Sequence, residues 1–213
     1  MKHELAVLLV LCTLGCSQQS DKAELSYTEK TAVAPTLEGE LHQNGEHGFS
    51  IRLPKSWGPI SQDDLARQGA AVSGPELKIE YIAGYQVLTN DLFVHPFILV
   101  RKLPADAMPK EKIKAVRQLY RDSGEQIARL AEQNAGLQLN TEVGVPVLDE
   151  ETGIVWLKFQ LDGVDGQRVE GLMAHHYADG HILQFIAGTT TIRGKEDWPV
   201  LERTLRTIKL RAK

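Results

Sequence analysis

The stretch QRVEGLMAHHYADGHILQFIAGT, residues 167–189, contains two β-strand patterns separated by the dipeptide Asp179-Gly180. Asp-Gly is typical of a two-residue β-hairpin turn, because the central residues of such a turn adopt positive φ angles. A turn at this position fixes which residues lie opposite one another on the two strands. The predicted pairs are Tyr177 with Ile182, His176 with Leu183, and Ala174 with Phe185.

Both faces of this predicted hairpin are apolar. One face carries Leu172, Ala174, Leu183, Phe185 and Ala187, and the other carries Met173, Tyr177, Ile182 and Ile186. A sheet without a polar face must be covered on both sides. Helical spacing predicts the covering helices at Ile113, Val116, Tyr120, Ile127, Leu130 and Ala131, and again at Trp198, Leu201, Leu205 and Ile208.

Further strand patterns complete the predicted sheet. They are FSIRLP (49–54), ELKIEYIAGY (76–85), the apolar run 92–100 and IVWLKFQLD (154–162). Pro96 predicts a bulge or a sheet edge inside the apolar run, and a short helix is predicted near Gln62 to Gln68. Short turns, such as residues 163–166, join antiparallel neighbours. The predicted fold class is therefore α+β, with a central antiparallel sheet covered by helices on both faces, an α/β/α sandwich.

The order of these elements resembles the PsbP-like family. The resemblance rests on the opening GFSIRLPKSW (48–57) and on the closing strand and helix, HILQFIAGTTTIRGKEDWPVLERTLRTIKL (181–210). That family has an α/β/α sandwich fold, and its members include extrinsic photosynthetic subunits, a Ran-binding import factor and exported bacterial proteins. The resemblance implies a binding or accessory domain rather than an enzyme, and no family site residue maps onto this chain.

The N-terminal residues predict an exported lipoprotein. Lys2 and the apolar run 5–14 resemble a secretory signal peptide, since a membrane-spanning helix needs roughly 20 residues. The sequence LGCS resembles a bacterial lipobox, which predicts cleavage after residue 15 and acylation of Cys16. The alternative is an ordinary signal peptide that leaves Cys16 as a free thiol. No cysteine follows Cys16, which favours export without a disulfide.

The predicted organisation is a signal peptide at 1–15, the lipidated Cys16 with a flexible tether over 16–37, and a single PsbP-like domain over 38–213. The expected location is the bacterial cell envelope, with the chain lipid-anchored and facing the periplasm. The expected function is that of a non-catalytic accessory or assembly factor that binds a protein partner at the membrane surface. A small-ligand carrier or sensor is the alternative, followed by an uncharacterised hydrolase.

One basic stripe is a candidate binding surface. Four cations fall on one side of the predicted helix that begins near residue 110: Lys110, Lys114, Arg117 and Arg121. We expect this stripe to contact anionic headgroups or an acidic partner; the alternative is a solvated helix face. The formal net charge of −4 does not favour a nucleic-acid partner.

The remaining motifs do not support catalysis, a metal or a cofactor. GTTTIRGKE (188–196) has five residues between its glycines and Glu196 after Lys195, whereas a phosphate-binding loop needs four residues and a hydroxyl. In the predicted hairpin, His176 and His181 share one face and His175 points to the other, so the three imidazoles cannot converge. They are expected to be solvated or packed on an aromatic ring. The acidic run Asp149 to Glu151 predicts a solvated turn.

Overall fold

A computed structural model of the chain describes residues 39–73, 78–88, 96–107, 140–162, 168–178 and 180–211. The predicted helix near residues 113–131 and the predicted signal peptide and tether lie outside these ranges. Within them the structure contains helices and antiparallel strands, which confirms the predicted α+β class.

Most of the described strands form one large antiparallel sheet. The strands are β1 (Leu41–Asn44), β2 (Phe49–Arg52), β3 (Trp57–Pro59), β4 (Ala83–Val87), β5 (Phe97–Pro104), β6 (Asn140–Val143), β7 (Val147–Leu148), β8 (Val155–Asp162), β9 (Arg168–Ala178), β10 (His181–Thr190) and β11 (Lys209–Leu210). The large sheet has the order β3-β4-β5-β10-β9-β8-β6, and β7 also pairs with β8. A smaller sheet has the order β1-β2-β11.

The hairpin of β9 and β10 has the predicted register. Tyr177 lies opposite Ile182, His176 opposite Leu183, and Ala174 opposite Phe185. Gly180 has a φ of 75°, the left-handed conformation that an Asp-Gly hairpin turn requires. The hairpin lies in the interior of the large sheet, between β5 and β8, so its backbone is paired on both sides.

One predicted strand begins later than the sequence suggests. The prediction for residues 76–82 was wrong for the described part, because β4 starts only at Ala83. The reason is local: Ser73 Oγ accepts the N–H of Ile79 at 2.8 Å, which removes that group from strand pairing. Pro96 lies immediately before β5, and residues 92–95 of the predicted run lie outside the described ranges. Proline lacks an N–H and is tolerated at such a boundary.

Helices lie against both faces of the large sheet, although one of the two predicted covering helices, near residues 113–131, lies outside the described ranges. Helix α1 (Gln62–Val72) places Leu65 against Gly84 on one face, and the Ser61 hydroxyl caps it by accepting the N–H of Asp64 at 3.2 Å. Helix α2 (Thr191–Arg206) covers the opposite face, where Leu201 and Leu205 are fully buried. A short 3-10 helix (Ala105–Ala107) follows β5.

The small sheet closes the core on the α2 side. Phe49 and Ile51 of β2 point into this core, and the ring of Phe49 meets that of Phe185 edge to face at 5.1 Å. The core on this side also contains Leu53, Trp57, Tyr85, Ile98, Val100, Trp156, Leu172, Ala174, Leu183, Ala187, Leu201 and Leu205. No helix in the described part of the chain is both long and apolar enough to span a bilayer.

Candidate functional site

The site residues predicted from the sequence lie outside the described ranges. Cys16 belongs to the N-terminal segment before residue 39, and Lys110, Lys114, Arg117 and Arg121 belong to the segment 108–139. Lipidation and the basic stripe therefore stay predictions. The candidate site must be sought among the polar groups that the described elements position.

The three histidines of the hairpin are divided between the two faces, as predicted. His176 lies opposite Leu183 and His181 lies opposite Ala178, both on the α2 side of the sheet. His175 lies opposite Gln184 on the other side. No three His, Cys, Asp or Glu side chains in the described ranges are grouped so that they could hold a metal ion. The expectation of solvation near the turn was wrong for His175, which is fully buried.

His175 belongs to a chain of hydrogen bonds inside the core. Its Nδ1 lies 2.9 Å from the carbonyl oxygen of Val155, and its Nε2 lies 2.9 Å from the amide nitrogen of Gln184. Because a carbonyl can only accept, Nδ1 carries the proton and Nε2 accepts from Gln184. Arg101 Nε donates to the Gln184 side-chain oxygen. Burial lowers the pKa of His175 to about 4, so the ring is neutral at pH 7.

His176 is buried on the opposite face and packs on an aromatic ring. Its ring centroid lies 5.3 Å from that of Phe185, in an edge-to-face arrangement. Burial lowers the pKa of His176 to about 4 as well. Its Nε2 is buried and has no hydrogen-bond partner in the described part of the protein. Neither histidine is therefore exposed to act on a substrate as a general base.

The strand-to-helix junction at residues 188–196 is structural and does not form a phosphate loop. Gly188 lies inside β10, opposite Gly171 and Phe97 of the neighbouring strands. The Thr189 hydroxyl donates to the buried carboxylate of Asp197, and Arg193 binds the same carboxylate at 3.2 Å. These contacts hold the first turns of α2 against the end of β10.

An open groove lies beside α2, where the helix leaves part of β8 and β9 uncovered. Trp198 forms one wall of the groove, and its indole N–H donates to the Glu170 carboxylate at 2.6 Å. Gly194 lies one helical turn earlier, and a Cβ atom there would approach both Glu170 Oε2 and Trp198 Nε1 to 3.2 Å. The absence of a side chain at 194 therefore lets the helix approach β9 closely enough for this hydrogen bond.

This feature, the Trp198 groove, has a volume of about 260 Å³. Pairing of β8 with β9 sets Lys158 beside Leu172 and Gln160 beside Glu170 on the α2 side. Glu202 carries an ion pair with Arg206 at 3.1 Å, and no ion pair within the described ranges involves Lys158. The lining residues are Lys158, Phe159, Gln160, Glu170, Gly171, Leu172, Trp198 and Glu202.

A charged cluster continues from the groove toward the end of α2. The Arg206 guanidinium lies 5.4 Å from the ring centre of Trp156, within cation–π range. Asp149 lies nearby in the turn after β7, where its carboxylate accepts the N–H groups of Glu151 and Thr152 at 3.1 and 3.2 Å. Desolvation acts to raise the pKa of Asp149, but the Thr152 and Glu151 hydrogen bonds and the Arg206 charge lower it overall.

Sequence patterns indicated parts of this region and missed its geometry. The turn at Asp149 was predicted correctly, but Asp149 is buried and not solvated. Trp198 was assigned to the buried stripe of the helix, whereas it is only partly buried and lines a groove. Its partner Glu170 lies 28 residues earlier, and no local spacing signals such a pair. The only local signal is Gly194, one turn before the tryptophan.

Comparison with known proteins identifies the fold. The solution structure of cyanobacterial PsbP (CyanoP) from Synechocystis sp. PCC 6803 matches 85% of this chain and 98% of that chain, with a TM-score of 0.50 and 11% sequence identity. This similarity confirms that the fold is PsbP-like. It shows the fold alone, because the sequence identity is low.

Two further structures match with lower scores. The Ran-binding protein Mog1p of Saccharomyces cerevisiae covers 82% of this chain and 96% of its own, with a TM-score of 0.45 and 11% identity. LpqN of Mycobacterium tuberculosis, described as involved in cell envelope biogenesis, covers 82% and 91%, with a TM-score of 0.40 and 13% identity. No family model and no curated protein sequence matches this chain.

Proposed function

We propose that this protein is a non-catalytic accessory or assembly factor of the bacterial envelope, anchored through Cys16, which binds a protein partner through the Trp198 groove. The observation that carries the proposal is the partly buried Trp198, which Glu170 holds in one orientation at the wall of an open groove. Tryptophan is enriched at the energetic centres of protein interfaces. A side chain fixed before binding also loses little conformational entropy when the partner arrives.

The groove suits side chains of a protein better than a small molecule. Its volume of about 260 Å³ is below the 300–1,000 Å³ typical of enclosed ligand pockets. Trp198 supplies apolar contact, while Lys158 and Glu170 supply charges of both signs at the rim. An apolar centre with a polar rim is the usual composition of a protein interface.

The polar groups outside the groove support a non-catalytic role. His175 and His176 are buried and neutral, and the Thr189 hydroxyl is bound to a carboxylate that Arg193 also binds. A nucleophile needs a base that can receive its proton at an accessible position. His175 and Thr189 are instead bound within the hairpin and its junction with α2, and His176 packs on Phe185.

Photo-crosslinking in the native envelope tests the groove. A photoreactive amino acid at position 158 lines the groove, and the same amino acid at the exposed position 78 serves as the control. We expect a discrete adduct from position 158 only. The adduct should fall at least tenfold in yield when Trp198→Ala is added, because truncating an interface tryptophan commonly costs more than 2 kcal/mol.

A second variant separates lost binding from lost folding. Glu170→Gln keeps an oxygen that accepts the indole N–H, so Trp198 should stay in place and the adduct should persist. Thermal unfolding of each variant reports whether the fold is retained. Equal adducts from positions 158 and 78, or a yield unaffected by Trp198→Ala in a folded protein, would refute the proposed groove.

The basic stripe is a second contact in the proposal. Lys110, Lys114, Arg117 and Arg121 would meet anionic headgroups or an acidic partner, since each basic residue near a charged membrane contributes about 1 kcal/mol. Charge reversal of Lys114 and Arg117 in a Cys16→Ser chain, which cannot be acylated, should weaken binding to anionic vesicles or to the crosslinked partner. Unchanged binding to both would remove the stripe from the proposal.

A further inference from the structure

The small sheet of β1, β2 and β11 has one face in the core and one face turned away from it. Phe49 and Ile51 point into the core, and Leu210 packs against it. Side chains alternate along a strand, so the residues between them point outward. The register aligns these outward positions across the sheet: Leu41 with Arg52, Gln43 with Ser50, and Ser50 with Lys209.

This outer face is positively charged. Its side chains are Leu41, Gln43, Ser50, Arg52 and Lys209, and Arg211 continues the row beyond β11 through a bond from its N–H to the Gly48 carbonyl at 2.8 Å. None of these outward residues is acidic. Lys209 and Arg211 have no ion pair within the described part of the chain, and both are exposed. Three cations therefore share one surface in a protein of net charge −4.

A concavity at one end of this face is suited to an anion. It has a volume of about 160 Å³ and lies between the β1–β2 turn and β11. Lys209 and Arg211 contribute charge, while Gln43 and Ser50 contribute uncharged hydrogen-bond donors. Gly45 lies under Arg211, whose terminal nitrogen would be 3.9 Å from a Cβ atom at that position. A tetrahedral phosphate group with several oxygen acceptors fits this set of donors.

An exposed apolar residue lies beside the cations. Leu41 is 47% exposed and faces Arg52 across the strand pair. Arg52 is itself held by a bond from its guanidinium to the Gly39 carbonyl at 2.7 Å. An exposed leucine beside a cation suits a surface that binds anionic membranes, where the apolar side chain enters the headgroup region and the cations bind phosphates.

We propose that the outer face of the small sheet, through Arg52, Lys209 and Arg211, binds the anionic phosphate headgroups of a lipid bilayer, with Leu41 beside Arg52 as an apolar contact. This inference rests on the proposed location of the protein at a membrane. Residue 39, where the described chain begins, is adjacent to β1, and a random-coil tether of some twenty residues after Cys16 would reach about 25 Å. An anchor at Cys16 would therefore keep β1 within about 25 Å of the bilayer, a distance that allows this sheet to reach the surface.

Vesicle flotation of the full-length chain with Cys16→Ser tests the proposal, because this chain lacks the acyl anchor. We expect binding to vesicles of phosphatidylcholine with 30% phosphatidylglycerol, and weak binding to phosphatidylcholine alone. Replacing Lys209 and Arg211 together by Gln should reduce binding about thirtyfold, which equals about 2 kcal/mol, or 1 kcal/mol for each cation. Salt at 0.5 M should abolish the difference in vesicle binding between the Lys209/Arg211 variant and the chain that keeps both cations, because it screens these charges.

The matched control is replacement of Lys78 and Lys195 by Gln, two exposed lysines away from the small sheet. It changes the net charge equally and should leave binding unchanged. The proposal would be overturned by equal losses in the two double variants. It would also be overturned if charge reversal of Lys114 and Arg117 reduced vesicle binding while the Lys209/Arg211 variant did not. Binding of an acidic protein without binding of vesicles would overturn it as well. Such a failure would not contradict the proposed role of the Trp198 groove, because that role is tested separately by crosslinking from position 158.

Discussion

Gln184 is the residue on which the buried polar chain of the hairpin depends. Its amide nitrogen lies 2.9 Å from His175 Nε2 and 3.4 Å from the Met173 sulfur, and its oxygen accepts from Arg101. A glutamine can donate and accept at once, so it satisfies both the neutral imidazole and the guanidinium. This is how a histidine with no exposed surface is accommodated between two strands.

The two buried histidines make stability depend on pH in a defined window. In the unfolded chain a histidine has a pKa of about 6.5, whereas His175 and His176 in the folded protein have pKa values of about 4. The unfolded state therefore binds more protons between these values, and stability falls as the pH decreases through this window. We expect the free energy of unfolding, from urea titrations, to fall by about 2 kcal/mol per histidine between pH 7.5 and pH 5.

The variant His176→Phe isolates one of the two contributions. It should reduce this pH dependence by about half, because only His175 still titrates in the window. Asp149 does not interfere, since a carboxylate with a lowered pKa loses its contribution only as the pH falls below the unfolded value near 4. Equal stability of the unmodified protein at pH 7.5 and pH 5 would contradict the buried, neutral state of these rings.

At the scale of elements, the packing of strands β8, β9 and β10 depends on glycines placed under aromatic rings. Phe159 lies directly over Gly171, its cross-strand neighbour, and Phe97 lies over Gly188. An aromatic ring that covers a glycine in the next strand restores the apolar contact that the missing side chain would have made. The four strands β5, β10, β9 and β8 therefore keep a continuous apolar surface on this face.

Substitution of Gly171 tests this arrangement. A Cβ atom at position 171 would overlap the ring of Phe159, so Gly171→Ala forces the ring out of its position and should cost about 1–3 kcal/mol or more in urea unfolding. Gly45→Ala is the control, because its nearest neighbour would be 3.9 Å away, and it should change stability by less than about 0.5 kcal/mol. Similar losses of stability from the two substitutions would show that the position of the Phe159 ring does not require a glycine at residue 171.

At the scale of the whole molecule, the two proposed surfaces have separate elements and separate chemistry. The Trp198 groove is built from α2, β8 and β9, whereas the cationic face is built from β1, β2 and β11. A protein held at a bilayer by its small sheet could therefore still present the groove to a protein partner. The two tests are independent, since one measures vesicles and the other a crosslinked protein.

Anchoring is the prediction that belongs to the whole chain. We expect the mature protein to begin at Cys16 with a thioether-linked diacylglycerol, visible by mass spectrometry of the N-terminal peptide, and to fractionate with membranes. Cys16→Ser should lose the modification and the stable attachment, because the acyl chains contribute about 0.8 kcal/mol for each buried methylene. An unmodified Cys16, or a mature chain that starts elsewhere, would contradict the lipoprotein prediction.

Local patterns were sufficient for much of the fold. The Asp-Gly turn determined the register of β9 and β10, since a two-residue turn leaves one way to pair the strands. Because both faces of that hairpin were apolar, a helix was expected on each side; α2 covers one of them, and the other predicted helix lies outside the described residues. Buried and exposed side chains alternate over residues 78–81 as the sequence predicts, but β4 starts only at Ala83, and the N–H of Ile79 is bound by Ser73.

The sequence by itself therefore determined the fold class, the central hairpin and the side of the sheet on which each histidine lies, because these depend on residues near one another in the chain. Only the tertiary structure decided that Trp198 meets Glu170, that Gln184 links His175 to Arg101, and that Lys209 and Arg211 join Arg52 on one face. Those contacts join residues distant in sequence. They form only when packing of the apolar core has set the positions of the strands and helices.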